Sequence, residues 1–144
     1  MLEFLLICDS NGSSIYSRKL HDTYNLSKIE SLPGLISTLD SMGRTVFKKD
    51  IAIVTFGEDN LSNISESTSK IVLISKDTFA QEKRINFVYL SSGDCSMQLL
   101  RELTTTIYME LKPHLRMEPL DYKKIEILVN KILDNKFKGV VSCR

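Results

Sequence analysis

The residues with the strongest case for chemistry lie in the segment Asp9 to Ser13, which directly follows the apolar segment Leu2 to Cys8. An aspartate in that place can act as a nucleophile, and a second acid two residues later would serve as general acid. Asn11 occupies that second position, and an amide does not donate a proton in this role. Asn11-Gly12 is also the strongest short signal for a hairpin turn, because both residues tolerate a positive φ. The segment is therefore interpreted as a turn.

The segment resembles the Asp-X-Asp-Gly-Thr/Ser pattern of haloacid-dehalogenase-type phosphatases, but the resemblance stops there. Gly93-Asp94 follows without an acidic pair suited to Mg²⁺, and 144 residues is short for that fold. A small phosphatase that uses Asp9 is kept as an alternative function. A calcium loop beginning at Asp9 would need glycine at its sixth position and glutamate at its twelfth. Ser14 and Leu20 stand at those positions, so calcium is not expected.

The histidines and cysteines do not have the spacing of a metal site. His21 and His114 lie far apart, and neither has a cysteine or carboxylate at ligand spacing. Cys8, Cys95 and Cys143 are an odd number with no close pair, which is typical of reduced thiols in an intracellular protein. The sequence also contains no glycine-rich loop that would cradle a phosphate. We therefore predict no catalytic residue, metal or cofactor, and expect the chain not to be an enzyme.

Charge is nearly balanced, with 19 Lys and Arg against 18 Asp and Glu, and the basic residues are spread along the chain. This spread argues against nucleic acid as the main partner, because phosphate binding needs a concentrated basic face. Arg44, Lys48 and Lys49 form one small basic cluster. Such a cluster is either a solvated surface or an electrostatic contact with an acidic partner or anionic lipid.

The length of 144 residues predicts a single domain over residues 1–144, and hydropathy predicts that it is cytoplasmic. No stretch approaches the roughly 20 apolar residues of a membrane span. The apolar opening lacks the basic residues that begin a signal peptide and is interrupted by Glu3. Any membrane association is expected to be peripheral.

The first elements that would position these residues are a β-hairpin and a helix. Leu2 to Cys8 and Ser14 to Lys19 form the hairpin around the Asn-Gly turn. The helix is predicted from Leu32, where Pro33 suits a first turn. Its apolar residues recur at spacings of three and four and predict one face turned to the core: Leu35, Ile36, Leu39, Met42 and Val46.

The segment Asp50 to Gly57 is β-branched and aromatic enough to be a strand, although the preceding helix continuing to Phe56 is the alternative. Ile51, Ile53 and Thr55 would line an edge strand if the order of elements that the family resemblance given below implies holds. An apolar edge favours pairing with a strand of another chain. These three residues and the basic cluster form the predicted partner or dimer surface.

Two further strands are predicted at Lys70 to Ser75 and Ile85 to Leu90. A helix follows them with Asp94 or Ser96 as its N-cap, and another runs from Asp121 to near Gly139. The order is therefore β-β-α-β-β-β-α-α. It predicts an α/β fold with a five-stranded, mainly antiparallel sheet. One helix would cover one face of the sheet and two helices the other.

This order resembles the longin arrangement, which is related to the profilin-like and roadblock folds. The opening Met1 to Gly12, followed by Ile15 to Arg18, looks like the longin opening of an apolar strand, an Asx/Gly turn and a strand ending in Ser-Arg. Leu32 to Leu39 resembles the first helix of longin domains in Fuzzy-type and three-longin Rab exchange factors. The two later strands and the helix over Leu99 to Leu111 resemble the finish of the same domains.

The resemblance implies a function without catalysis. Longins are building blocks of trafficking machinery and have no catalytic side chains of their own. The chain would be a scaffold that forms a homo- or heterodimer and binds or regulates a small GTPase or a trafficking-type complex. A roadblock-like GTPase regulator is the alternative within the same class, and a different helix order would favour it.

Overall fold

The computed structural model describes residues 2–21, 30–48, 53–56, 69–78, 83–92 and 96–138. Its elements follow the predicted order. They are β1 (Leu2–Asp9), β2 (Ser14–Lys19), α1 (Leu32–Met42) with a terminal π-turn (Gly43–Phe47), β3 (Ile53–Phe56), β4 (Ser69–Thr78), β5 (Lys83–Ser92), α2 (Met97–Leu115) and α3 (Tyr122–Asn135). The strand prediction for the segment after α1 is confirmed at Ile53–Phe56, while residues 51 and 52 lie outside the described residues.

The strands form one five-stranded sheet in the order β2-β1-β5-β4-β3. Each of the four neighbouring pairs is antiparallel. The predicted α/β fold with a five-stranded, mainly antiparallel sheet is therefore confirmed, with β5 at the centre and with β2 and β3 at the two edges.

Side chains alternate between two apolar layers on opposite faces of this sheet. Along β1, Leu5 and Ile7 belong to the layer under α2 and α3, whereas Phe4, Leu6 and Cys8 belong to the layer under α1. Because both faces of β1 are covered, its sequence is continuously apolar instead of alternating. One helix therefore covers one face and two helices cover the other, as predicted.

The turn between β1 and β2 also packs against α1. Gly12 has a φ of 82°, which favours glycine, and a Cβ there would lie 3.2 Å from the carbonyl oxygen of Pro33. The Ser37 hydroxyl donates a hydrogen bond to the carbonyl oxygen of Ser10 at 2.9 Å. These contacts hold the start of α1 against the hairpin.

The core-facing side of α1 differs from the predicted one. Leu32, Ile36 and Asp40 are the buried residues of this helix, and they recur at intervals of four. Leu35 and Met42 are instead 46% and 50% exposed. The predicted core face is therefore confirmed at Ile36 and wrong at Leu35 and Met42, because α1 packs on the sheet through the row that contains Asp40.

The last two helices begin at side-chain caps. The Ser96 hydroxyl accepts a hydrogen bond from the Leu99 N–H at 3.3 Å, and an Asp121 carboxylate oxygen accepts one from the Lys124 N–H at 3.2 Å. Asp121 was predicted to begin its helix, and Ser96 was one of the two predicted caps, because such oxygens satisfy N–H groups that lack partners in the first turn. Within the described ranges, no helix is both long enough and apolar enough to cross a membrane.

Candidate interaction surface

Some residues of the predicted surface belong to the edge strand β3. Ile53 lies opposite Val72 on β4 and points to the α2–α3 face, where its side chain is 47% exposed. Val54 is partly buried against the layer under α1. In the described part of the chain, β3 pairs with β4 alone. Thr55 occupies the strand position opposite Lys70, and Ile51 lies outside the described residues.

Two residues of the basic cluster, Arg44 and Lys48, follow α1. Arg44 belongs to the π-turn, and its side chain is 47% exposed. Lys48 ends that turn in a left-handed conformation with a φ of 53° and is exposed. Lys49 lies outside the described residues. Among the described residues of the predicted surface, Arg44, Lys48 and Ile53 are exposed.

Sequence reasoning missed the buried charge of Asp40, which is only 1% exposed. One carboxylate oxygen lies 3.2 Å from Nη2 of Arg44, and the other lies 3.6 Å from Nη2 of Arg84 on β5. The Arg84 side chain is itself only 12% exposed. A buried carboxylate requires such partners, because leaving water without compensation is costly. Its position four residues after Ile36 was the available signal, since that spacing continues the buried row.

Sequence reasoning also assigned Leu35, Met42 and Val46 to the core, and the fold exposes them. Together with Phe47 they are 46%, 50%, 65% and 68% exposed in chain order, and we call these four residues the α1 strip. Leu35 and Met42 are separated by seven residues, which places them on the same flank of the helix. The strip continues into the π-turn through Val46 and Phe47.

Asp9 is held within its own turn. One carboxylate oxygen accepts hydrogen bonds from the backbone N–H groups of Asn11 and Ser13, at 3.0 Å and 2.9 Å. The Gly12 N–H also donates to the Asp9 carbonyl oxygen. These contacts are those of a residue that closes a hairpin, and they support the turn interpretation over a nucleophile.

Cys8 is a free thiol, fully buried in β1. Burial is the main cause that raises its pKa from 9.0 to about 12, and the negative charges of Asp9 and Asp40 raise it further. The thiol is therefore protonated at neutral pH, and a protonated thiol is a poor nucleophile.

The opposite edge of the sheet is tied to α3. The Tyr16 hydroxyl donates a hydrogen bond to the Asn130 side chain at 2.7 Å, and Arg18 forms an ion pair with Asp134 at 2.9 Å. Burial raises the pKa of Tyr16 to about 12, although the Arg18 charge acts in the other direction. The β2 edge thus has charged side chains and a neighbouring helix, and among the described residues β3 has neither.

Comparison with known proteins gives little sequence similarity. No family model matches the chain, and no curated protein matches it either. Eighteen chains of solved structure do match. One is MglB of Myxococcus xanthus, with 13% identity, a TM-score of 0.46, and an alignment covering 78% of this chain and 81% of that one.

Proposed function

We propose that residues 1–144 form one longin-type protein-interaction module that dimerises through β3 and binds or regulates a small GTPase or a trafficking-type complex. The module acts by binding and not by catalysis. Its support is the longin-like order of elements and the resemblance of its first helix and later strands to longin domains of Fuzzy-type and three-longin Rab exchange factors. Such a module works in the cytoplasm.

The observation that carries this proposal is the difference between the two edges of the sheet. Natural sheets protect their edges with charged residues or by covering them. β2 has Arg18 and Lys19 and is hydrogen-bonded to α3, whereas the described residues of β3 include no charged residue and expose Ile53. An edge of this kind can pair with a strand of a second copy or of a partner protein.

The phosphatase alternative gains no support from the geometry of Asp9. Its nucleophilic role would need a carboxylate that faces an open site, and this carboxylate accepts two backbone N–H groups of the turn. The roadblock-like alternative would be favoured by a different helix order, and the observed order is the predicted one.

Light-scattering mass across protein concentration tests the dimer. We expect the wild-type chain to approach twice the 16.4 kDa monomer mass as concentration rises. We expect Ile53→Lys to remain monomeric, because a symmetric pairing places two like charges near each other. Ile127→Lys is the matched control, since Ile127 is 60% exposed on α3, away from β3.

The same measurement with purified small GTPases, loaded with GDP or with a non-hydrolysable GTP analogue, tests the partner. A complex peak with either nucleotide state supports the proposal, and a difference between the states indicates regulation. A mass that stays monomeric at every concentration, together with no GTPase complex, contradicts it.

A further inference from the structure

The α1 strip is an apolar surface that the fold leaves in contact with water. Single exposed apolar residues are common, but several neighbouring ones on one helix indicate an interaction site. Ser37, which is bonded to the β1–β2 turn, lies about 200° around the helix from Leu35. The strip therefore faces away from that turn.

Asp40 explains why the strip is not turned toward the sheet. A rotation of α1 that buried Leu35 and Met42 would carry Asp40 away from Arg84 on β5, whereas Arg44 would move with the helix. The ion pair between Asp40 and Arg84 thus fixes the orientation of α1, and the exposure of the strip is a consequence of that orientation.

The charges beside the strip are positive. Residues 41–48 contain Arg44 and Lys48 and no acidic residue. Asp40 is buried between Arg44 and Arg84, so one negative charge stands against two positive ones. Lys48 adds an exposed cation at the end of the π-turn.

A second copy of this chain is a poor occupant for such a surface. Strip-to-strip contact would bring Arg44 and Lys48 close to the same residues of the other copy, and like charges in an interface are unfavourable. An amphipathic helix with apolar residues every three or four positions and acidic residues on its flanks satisfies both the apolar strip and its cations. We propose that the α1 strip binds an acidic amphipathic helix of a partner protein. This inference rests on the proposed interaction function and gives the chemistry of one partner.

Fluorescence anisotropy with designed peptides tests this proposal. The probe is a fluorescein-labelled helical peptide of about 18 residues, with leucines on one face and glutamates on the flanks. The comparison peptide has lysines in place of the glutamates and the same leucines. We expect the acidic peptide to bind roughly tenfold more tightly or better, and its affinity to fall as salt increases.

Three variants of the protein locate the binding site. We expect Val46→Ser/Phe47→Ser to weaken binding of the acidic peptide by roughly tenfold, since two exposed apolar contacts are removed. Lys48→Glu is expected to reduce the preference for the acidic peptide. Ile127→Ser, a change at an equally exposed apolar residue of α3, is expected to bind like the wild type.

The outcomes of these experiments distinguish helix binding at the α1 strip from dimerisation through β3. Equal binding of the two peptides, or no binding of the acidic one, overturns the acidic helix as occupant. A fall in light-scattering mass in Val46→Ser/Phe47→Ser overturns it as well, because the strip would then be a contact between copies. Peptide binding that survives Ile53→Lys supports the strip even where that variant shows no dimer.

Discussion

Asp40 places a negative charge in the space between α1 and the sheet, where water does not reach it. A buried charge is tolerated only while its ion-pair partners are present. Replacement of either arginine partner is therefore expected to cost more stability than replacement of a surface residue. Arg84 is nearly buried and belongs to β5, whereas Arg44 is half-exposed on the same helix as Asp40. Arg84 is therefore the residue that joins α1 to the sheet by charge.

We expect Arg84→Met to reduce the free energy of unfolding by about 2–4 kcal/mol, because it leaves the buried carboxylate with Arg44 alone. Urea unfolding followed by circular dichroism measures the change. Asp40→Leu/Arg84→Met is expected to recover most of the loss, since no buried charge remains. Asp134→Asn, which removes a more exposed ion pair with Arg18, is the control and is expected to cost at most about 1 kcal/mol. An equal loss in the control and in Arg84→Met would contradict this view.

Cys8 gives the fold a dependence on alkaline pH. Its pKa is raised in the folded chain from 9.0 to about 12, so the unfolded chain loses this proton first as pH rises. Its contribution to stability is therefore complete below pH 9.0 and declines between pH 9.0 and about 12. Tyr16 acts in the same direction from 10.0 to about 12.

Urea midpoints measured from pH 7 to 11 test this dependence. We expect Cys8→Ala to show a smaller decline above pH 9 than the wild type, because one of the two groups is absent. A parallel decline in both proteins would assign the effect to other groups.

The contacts of Gly12 join the β1–β2 hairpin to α1, and two glycines allow this junction to be tested. We expect Gly12→Ala to cost about 1–2 kcal/mol, since its φ of 82° and the nearby Pro33 carbonyl oxygen both oppose a Cβ. Gly34→Ala is the matched control, because a Cβ at Gly34 meets nothing within 4 Å and alanine favours a helix. Thermal unfolding compares the two, and equal midpoints would argue against a strained turn at Gly12.

At the scale of elements, the sequence predicted which segments are helix or strand better than it predicted their orientation. The strands were recognisable because turn residues separate apolar runs, as at Asn11-Gly12. The side of α1 that is buried was not recognisable, because the apolar periodicity predicted that the flank with Leu35 and Met42 faces the core. The choice of the other flank depends on Arg84, which lies 44 positions after Asp40 and is brought near it only by the fold.

For the molecule as a whole, the order of elements predicted the sheet and the distribution of helices over its faces. The order of elements predicted only part of the exposed surface. The exposure of Ile53 follows from the edge position of β3, which the order of elements implied. The exposure of the α1 strip could not be predicted, because a sequence does not distinguish exposed apolar residues from buried ones.

The antiparallel geometry of β3 has a consequence for a dimer formed through it. Two antiparallel neighbours in a sheet are related by a two-fold axis perpendicular to that sheet, so both copies of α1 would lie on the same face. One partner could then contact both strips at the same time. A partner with two acidic helices joined by a suitable linker would bind the second strip as an intramolecular step, at a high effective concentration. Dimerisation would in this way convert two weak sites into one site of high avidity.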